Sequence, residues 1–230
     1  MNPRTHAASV RSASRTHRDA RAEDGRKVRE DDRHAVIFVE GVSDQVALET
    51  LARRRARNLS AEGISILPIG GAHAIRRFVQ EHLARDSRVR LGGVFDAQEE
   101  GYVSRALEAA GLGTNLSHAD LERLGFYMCV ADLEDELIRC LGPARLEAVI
   151  TAQGELQSFR SLQRQPAQRS RTAHQQVRRF IGTKSGRKAR YAQALVAALD
   201  LDDVPRPLDR VLAYVSVSVP SQKSIGNSSA

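Results

Sequence analysis

The 230-residue sequence contains no tryptophan, and its aromatic content is 4%. A row of rings on which nucleic-acid bases could stack is therefore not available. There are two cysteines, Cys129 and Cys140. They are too few for a disulfide framework or a four-cysteine zinc site, so a reducing cytoplasm is the expected setting. No apolar run approaches the roughly 18 residues of a membrane span, so no membrane partner is expected. The N-terminus lacks the apolar segment of a secretory signal. Gly182-Thr183-Lys184-Ser185 has the end of a phosphate-binding loop but not its first glycine, and no buried strand precedes it. ATP binding there is excluded.

Against these absences stands one organising stretch, Ala35-Val36-Ile37-Phe38-Val39-Glu40-Gly41. An unbroken apolar run of this kind fits a strand buried on both faces of a parallel sheet. Glu40 then lies at the strand's carboxyl end, where open α/β sheets place ligands. Gly41 is expected to let the chain turn tightly into the next helix. The pattern repeats. Ile64–Ile69 reads as a second strand closed by Gly70-Gly71. Val89–Phe95 reads as a third, ending in Asp96, and Leu124–Val130 as a fourth, followed by Asp132. Helical patterns follow at about Ser43–Arg55, Ala72–Leu83 and Gly101–Ala110. The expected fold is α/β, a mainly parallel sheet of about four strands flanked by helices, with a helical C-terminal extension. The expected organisation is a polar, disordered tail over 1–33, an α/β domain over 34–141, a basic helical extension over 142–215 and a flexible tail over 216–230.

Three strands end in acids: Glu40, Asp96 and Asp132. If the first and third strands are neighbours, Glu40 and Asp96 converge beyond their tips. Two carboxylates so placed repel unless one holds a proton or a hard divalent cation joins them. Asp132 with the acids after it also reads as a plain helix cap, good local chemistry without any metal. A second feature is basic. From Glu155 to Arg190 there are ten Lys or Arg against one acid, while the whole chain carries +7. Arg169, Arg171, Arg178, Arg179, Lys184, Arg187, Lys188 and Arg190 are candidates for a track along a DNA backbone.

These motifs resemble the TOPRIM domain, and within it the proteins of the OLD (overcoming lysogenisation defect) type. The resemblance rests on Glu40-Gly41-Val42-Ser43-Asp44, the acid after the third strand, Asp132-Leu133-Glu134-Asp135-Glu136-Leu137 and Thr183-Lys184-Ser185-Gly186-Arg187-Lys188. It covers about residues 34–200. It implies that Glu40 is a metal ligand or general base, that Asp44 and Asp96 are further ligands, and that Asp132 and Glu134 hold a second ion. It also implies a lysine that neutralises charge on the phosphate, Lys188 first and Lys184 as the alternative. The family's Asp-x-Asp reads Asp96-Ala97-Gln98 here. Glu99 or Glu100 replaces the missing aspartate if the loop is re-aimed; otherwise both are solvated acids at a helix N-terminus.

The function so implied is Mg²⁺- or Mn²⁺-dependent endonuclease cleavage of DNA with one or two ions, and Glu40, Asp96 and Lys188 as catalytic groups. Two alternatives remain. One is a non-catalytic DNA- or partner-binding module that works with a separate ATPase protein, since full OLD proteins carry an ATPase domain. The other is a nucleotidyl transferase. Homo-oligomers are compatible with either.

Overall fold

The computed structural model describes residues 35–184 and 186–216. The expected tails, apart from Ser216, lie outside the described residues. Four strands form one parallel sheet: β1 (Ala35–Val39), β2 (Ile64–Pro68), β3 (Arg90–Asp96) and β4 (Phe126–Cys129), in the order β2-β1-β3-β4. The chain steps from β1 to β2 on one side and then crosses to β3 on the other. The strand order thus reverses between β1 and β3. A crevice opens beyond the carboxyl ends at such a reversal.

All five residues of β1 are buried, and they alternate between two cores. Ala35, Ile37 and Val39 face a core shared with α1 (Val42–Arg54), while Val36 and Phe38 face one shared with α2 (Ile75–Arg85) and α3 (Glu100–Ala109). The unbroken apolar run therefore has its physical reason in helices on both faces. A short helix, α4 (His118–Arg123), completes the second side. It was not foreseen, because its only buried residue is Leu121. Ser117 and Asp120 cap it reciprocally, a signal present in the sequence.

The helix α5 (Leu133–Ala152) breaks at Gly142, whose φ is 67°, just before Pro143. It is followed by α6 (Leu156–Gln163), α7 (Ala173–Ile181), α8 (Arg187–Ala198) and α9 (Arg206–Ser216). The expected helical extension is not a separate body. Phe180, Tyr191, Leu195, Leu208 and Val211 join β1, β2 and α1 in one core. Helix α8 lies along α1, and α9 lies against β3 and β4. The basic segment is thereby brought to the face of the sheet that carries α1. Among the described residues no helix is long and apolar enough to cross a membrane.

Candidate metal and phosphate site

Glu40 follows β1 directly, and Asp96 ends β3. The two strands pair in parallel register, with Val39 opposite Val94. Glu40 Oε1 accepts a hydrogen bond from the Asp96 backbone N–H at 3.1 Å. The two acids expected to converge therefore meet at the switch point. The end of β1 is fixed from its other side. Gly70 and Gly71, with φ of 76° and 106°, donate their N–H groups to the Glu40 carbonyl at 3.0 and 3.2 Å. Left-handed backbone of this sort favours glycine. Those two amides are thus engaged with the chain itself.

Gly41 behaves otherwise than expected. Its φ of −143° and ψ of 177° are extended backbone that any residue adopts. A Cβ there would meet Asp44 Oδ2 at 3.8 Å, an ordinary contact. What matters locally is its N–H, which donates to Asp44 Oδ2 at 2.9 Å and turns that carboxylate back over the start of α1. Asp44 thereby joins Glu40.

The charge gathered here is poorly compensated. Burial, then Glu40 and Glu134, push the Asp44 carboxyl up to about 6, against the Gly41 hydrogen bond and Lys188. Burial, then Glu40, Asp132, Asp44 and Glu99, push Asp96 up to about 7. Two further oxygens, Glu99 Oε2 and Glu134 Oε1, are buried without a hydrogen-bond partner among the described residues. Unpaired buried acceptors are costly and uncommon, so each calls for a missing counterpart.

The cations approach from the C-terminal helices. Lys188 Nζ pairs with Glu134 Oε2 at 2.9 Å. That hydrogen bond, opposed by burial and aided by Glu134, Asp132 and Asp44, raises the lysine's pKa. Lys184 is exposed. Asp132 caps α5, accepting from the Asp135 N–H at 2.8 Å, and also pairs with Arg178 on α7. Arg178 reaches Asp135 as well, at 3.6 Å. Cys129, at the end of β4, is buried; burial and the acids around it push its thiol up, so it is not a thiolate ligand.

The basic candidates divide. Arg169, Arg171, Arg179, Lys184 and Arg190 are exposed, while Arg178 is half-buried against the acids. Arg187 corrects the sequence-based expectation: it is 3% exposed and cannot line a DNA track. Its guanidinium donates to the Phe180 carbonyl and Thr183 Oγ1, each at 2.6 Å, and pairs with Glu155 at 2.9 Å. It also lies 4.1 Å over the Phe180 ring. Arg190 and the Tyr191 hydroxyl complete the shell around Glu155, at 2.6 and 3.0 Å. The single acid of the basic segment is thus the anchor of a structural network.

Among the described residues no three His, Cys, Asp or Glu side chains are arranged to enclose an ion by themselves. Mg²⁺ does not require that. It keeps several waters and takes one or two carboxylates together with substrate phosphate oxygens. The donor set at the rim is all carboxylate oxygen, which suits a hard divalent cation. The orphaned oxygens of Glu99 and Glu134 and the crowding at Asp44 and Asp96 are what such an ion would relieve.

The fold and rim define a class: an open parallel α/β domain with carboxylates converging at its switch-point crevice. Residues 34–96 match the family model described as "Overcoming lysogenization defect protein-like, TOPRIM domain". Over those residues the chain is similar to an OLD-like TOPRIM domain. Its fold is that of the C-terminal region of the OLD protein of Burkholderia pseudomallei. That structure superposes with a TM-score of 0.63 at 18% identity, covering 80% of this chain and 97% of the other. The C-terminal region of the Xanthomonas campestris pv. campestris OLD protein gives 0.58 at 20% identity, covering 80% and 94%. A comparison with curated protein sequences finds no match.

Proposed function

We propose that this chain is a divalent-metal-dependent DNA endonuclease module of the OLD-like TOPRIM type. The observation that supports the reading is the convergence of Glu40, Asp44 and Asp96 at the switch point, with their charge uncompensated. One or two of these carboxylates would hold a Mg²⁺ or Mn²⁺ ion directly, and the rest would face it through its waters. When bound, that ion supplies Lewis-acid activation of a phosphodiester and of water. The chain's own contribution is positioning. The β1–β3 pairing fixes Glu40 against Asp96, and the Gly70-Gly71 turn holds the end of β1.

Lys188 stands at the edge of the cluster, 59% exposed at its side chain. It is placed to neutralise charge on a phosphate, an effect strongest when the donor is fixed in advance. Asp132 and Glu134 would support a second ion, in competition with Arg178 and Lys188, which already face them. The exposed Arg169, Arg171, Arg179 and Lys184 provide a sequence-independent grip on the DNA backbone, whereas Arg190, though exposed, is engaged with Glu155.

A second reading has its own observation: Gln98 occupies the place of the second family aspartate and is exposed. On that reading the module binds DNA or a separate ATPase protein without cutting. Plasmid nicking with Mn²⁺ separates the two. The first reading predicts nicking by the wild type and loss of at least a hundredfold in Glu40→Gln and in Lys188→Ala. Binding without nicking by the wild type selects the second reading, and equal nicking by Glu40→Gln removes Glu40 from the site.

A further inference from the structure

The Asp-x-Asp spacing works on extended backbone, where residues two apart share a face. Here the backbone does not stay extended after Asp96. Asp96 itself is extended, with φ of −71° and ψ of 146°, and a 3₁₀ turn, Ala97–Glu99, begins at once. Asp96 is the cap of that turn, and a cap residue and the third residue after it meet across the first turn. Position 99, and not 98, therefore returns to the side of Asp96. The side chains agree. Gln98 is exposed, whereas Glu99 Oε2 is buried and has no hydrogen-bond partner among the described residues. Glu99 is also one of the charges that bear on Asp96.

We infer that Asp96 and Glu99 together form this chain's metal-ligating pair, an Asp-x-x-Glu that replaces Asp-x-Asp, and that Gln98 is a bystander. The longer glutamate side chain and the tighter turn compensate each other. The charge that Gln98 fails to supply is supplied one residue later. The inference rests on the metal-dependent reading above and assigns Glu99 to the divalent ion of that site.

The test is calorimetric titration of Mn²⁺ into the ion-free full chain, without DNA, for wild type, Glu40→Gln, Glu99→Gln and Gln98→Ala. Glu99→Gln is expected to weaken Mn²⁺ affinity at least tenfold, and Gln98→Ala to leave it within twofold. Removing a crowded charge should not harm folding, and a thermal melt of each ion-free variant checks this. Glu99→Asp, which keeps the charge but shortens the reach, should fall between wild type and Glu99→Gln. Wild-type affinity in Glu99→Gln, with loss in Glu40→Gln, overturns the inference and spares the metal site. Loss in Gln98→Ala equal to that in Glu99→Gln also overturns it. Wild-type affinity in both Glu40→Gln and Glu99→Gln, or no binding by the wild type, overturns the metal site itself.

Discussion

Two groups of buried charge lie in this molecule, and they are built in opposite ways. Around Glu155 the charge is balanced: burial pushes its carboxyl up, but hydrogen bonds from Tyr191, Arg187 and Arg190 outweigh that and leave it below its ordinary value, although Arg187 Nε is buried without a partner among the described residues. At the rim of the sheet the acids crowd one another, Asp44 and Asp96 are pushed up, and two buried oxygens lack partners among the described residues. The acid of the first cluster has its cations in place as folded. On the proposed function, the second cluster is completed by a divalent ion. Strain of this kind persists only where the surrounding fold holds it in place, and here the β1–β3 pairing does so.

The contrast can be broken most forcefully on its structural side. Arg187→Met leaves the half-buried Glu155 with fewer partners and should cost about 2–4 kcal/mol in chemical denaturation, somewhat less than the usual penalty for breaking a fully buried pair. Adding Glu155→Gln to that variant should restore part of the loss. A rim substitution should act in the other direction. Asp96→Asn removes a crowded charge and should stabilise the ion-free protein at pH 8 by about 1–2 kcal/mol, after discounting for its partial exposure to solvent. At pH 4 the gain should vanish, because the carboxyl is then protonated in the folded chain.

The same logic sets the pH dependence of the ion-free wild type. Asp44 and Asp96 have folded values of about 6 and about 7, above the ordinary 3.8. The folded state therefore favours the protonated acids, and their contribution to stability is fully present below about pH 4. It is lost as pH rises through 6 and 7. Denaturation midpoints between pH 5 and 8 should show this fall in wild type and a shallower one in Asp96→Asn. The smallest effects belong to the open surface. Arg171→Ala, Arg179→Ala and Lys184→Ala should each change stability by less than about 0.5 kcal/mol. Each should lower the salt slope of DNA binding by about 1 if its side chain meets a phosphate.

The sheet was legible because its signals are local. The run Ala35–Val39 and the acids after β1 and β3 needed only period and position to be read. Asp132 was legible as a cap for the same reason. What could not be read was pairing over distance. Nothing in the sequence says that Arg187 turns inward to Glu155, 32 residues away, or that Arg178 reaches Asp132 across 46. A basic stretch looks alike whether its side chains face water or the core. The Gly41 expectation failed for a different reason: glycine identity suggests a special backbone angle, and here the angle is ordinary. The role proposed for Glu99 depends on the 3₁₀ turn after Asp96, and the sequence left open whether that loop is re-aimed and which of Glu99 and Glu100 it brings in.

The central claim is that the rim acids carry charge that a divalent ion relieves. Melting temperatures of wild type and Asp96→Asn at pH 8, with and without Mn²⁺, test it most directly. Without the ion, Asp96→Asn should melt above wild type; with it, wild type should rise by several degrees and the variant by much less. A wild-type melt that Mn²⁺ leaves unmoved, or an equal rise in both proteins, would contradict the account.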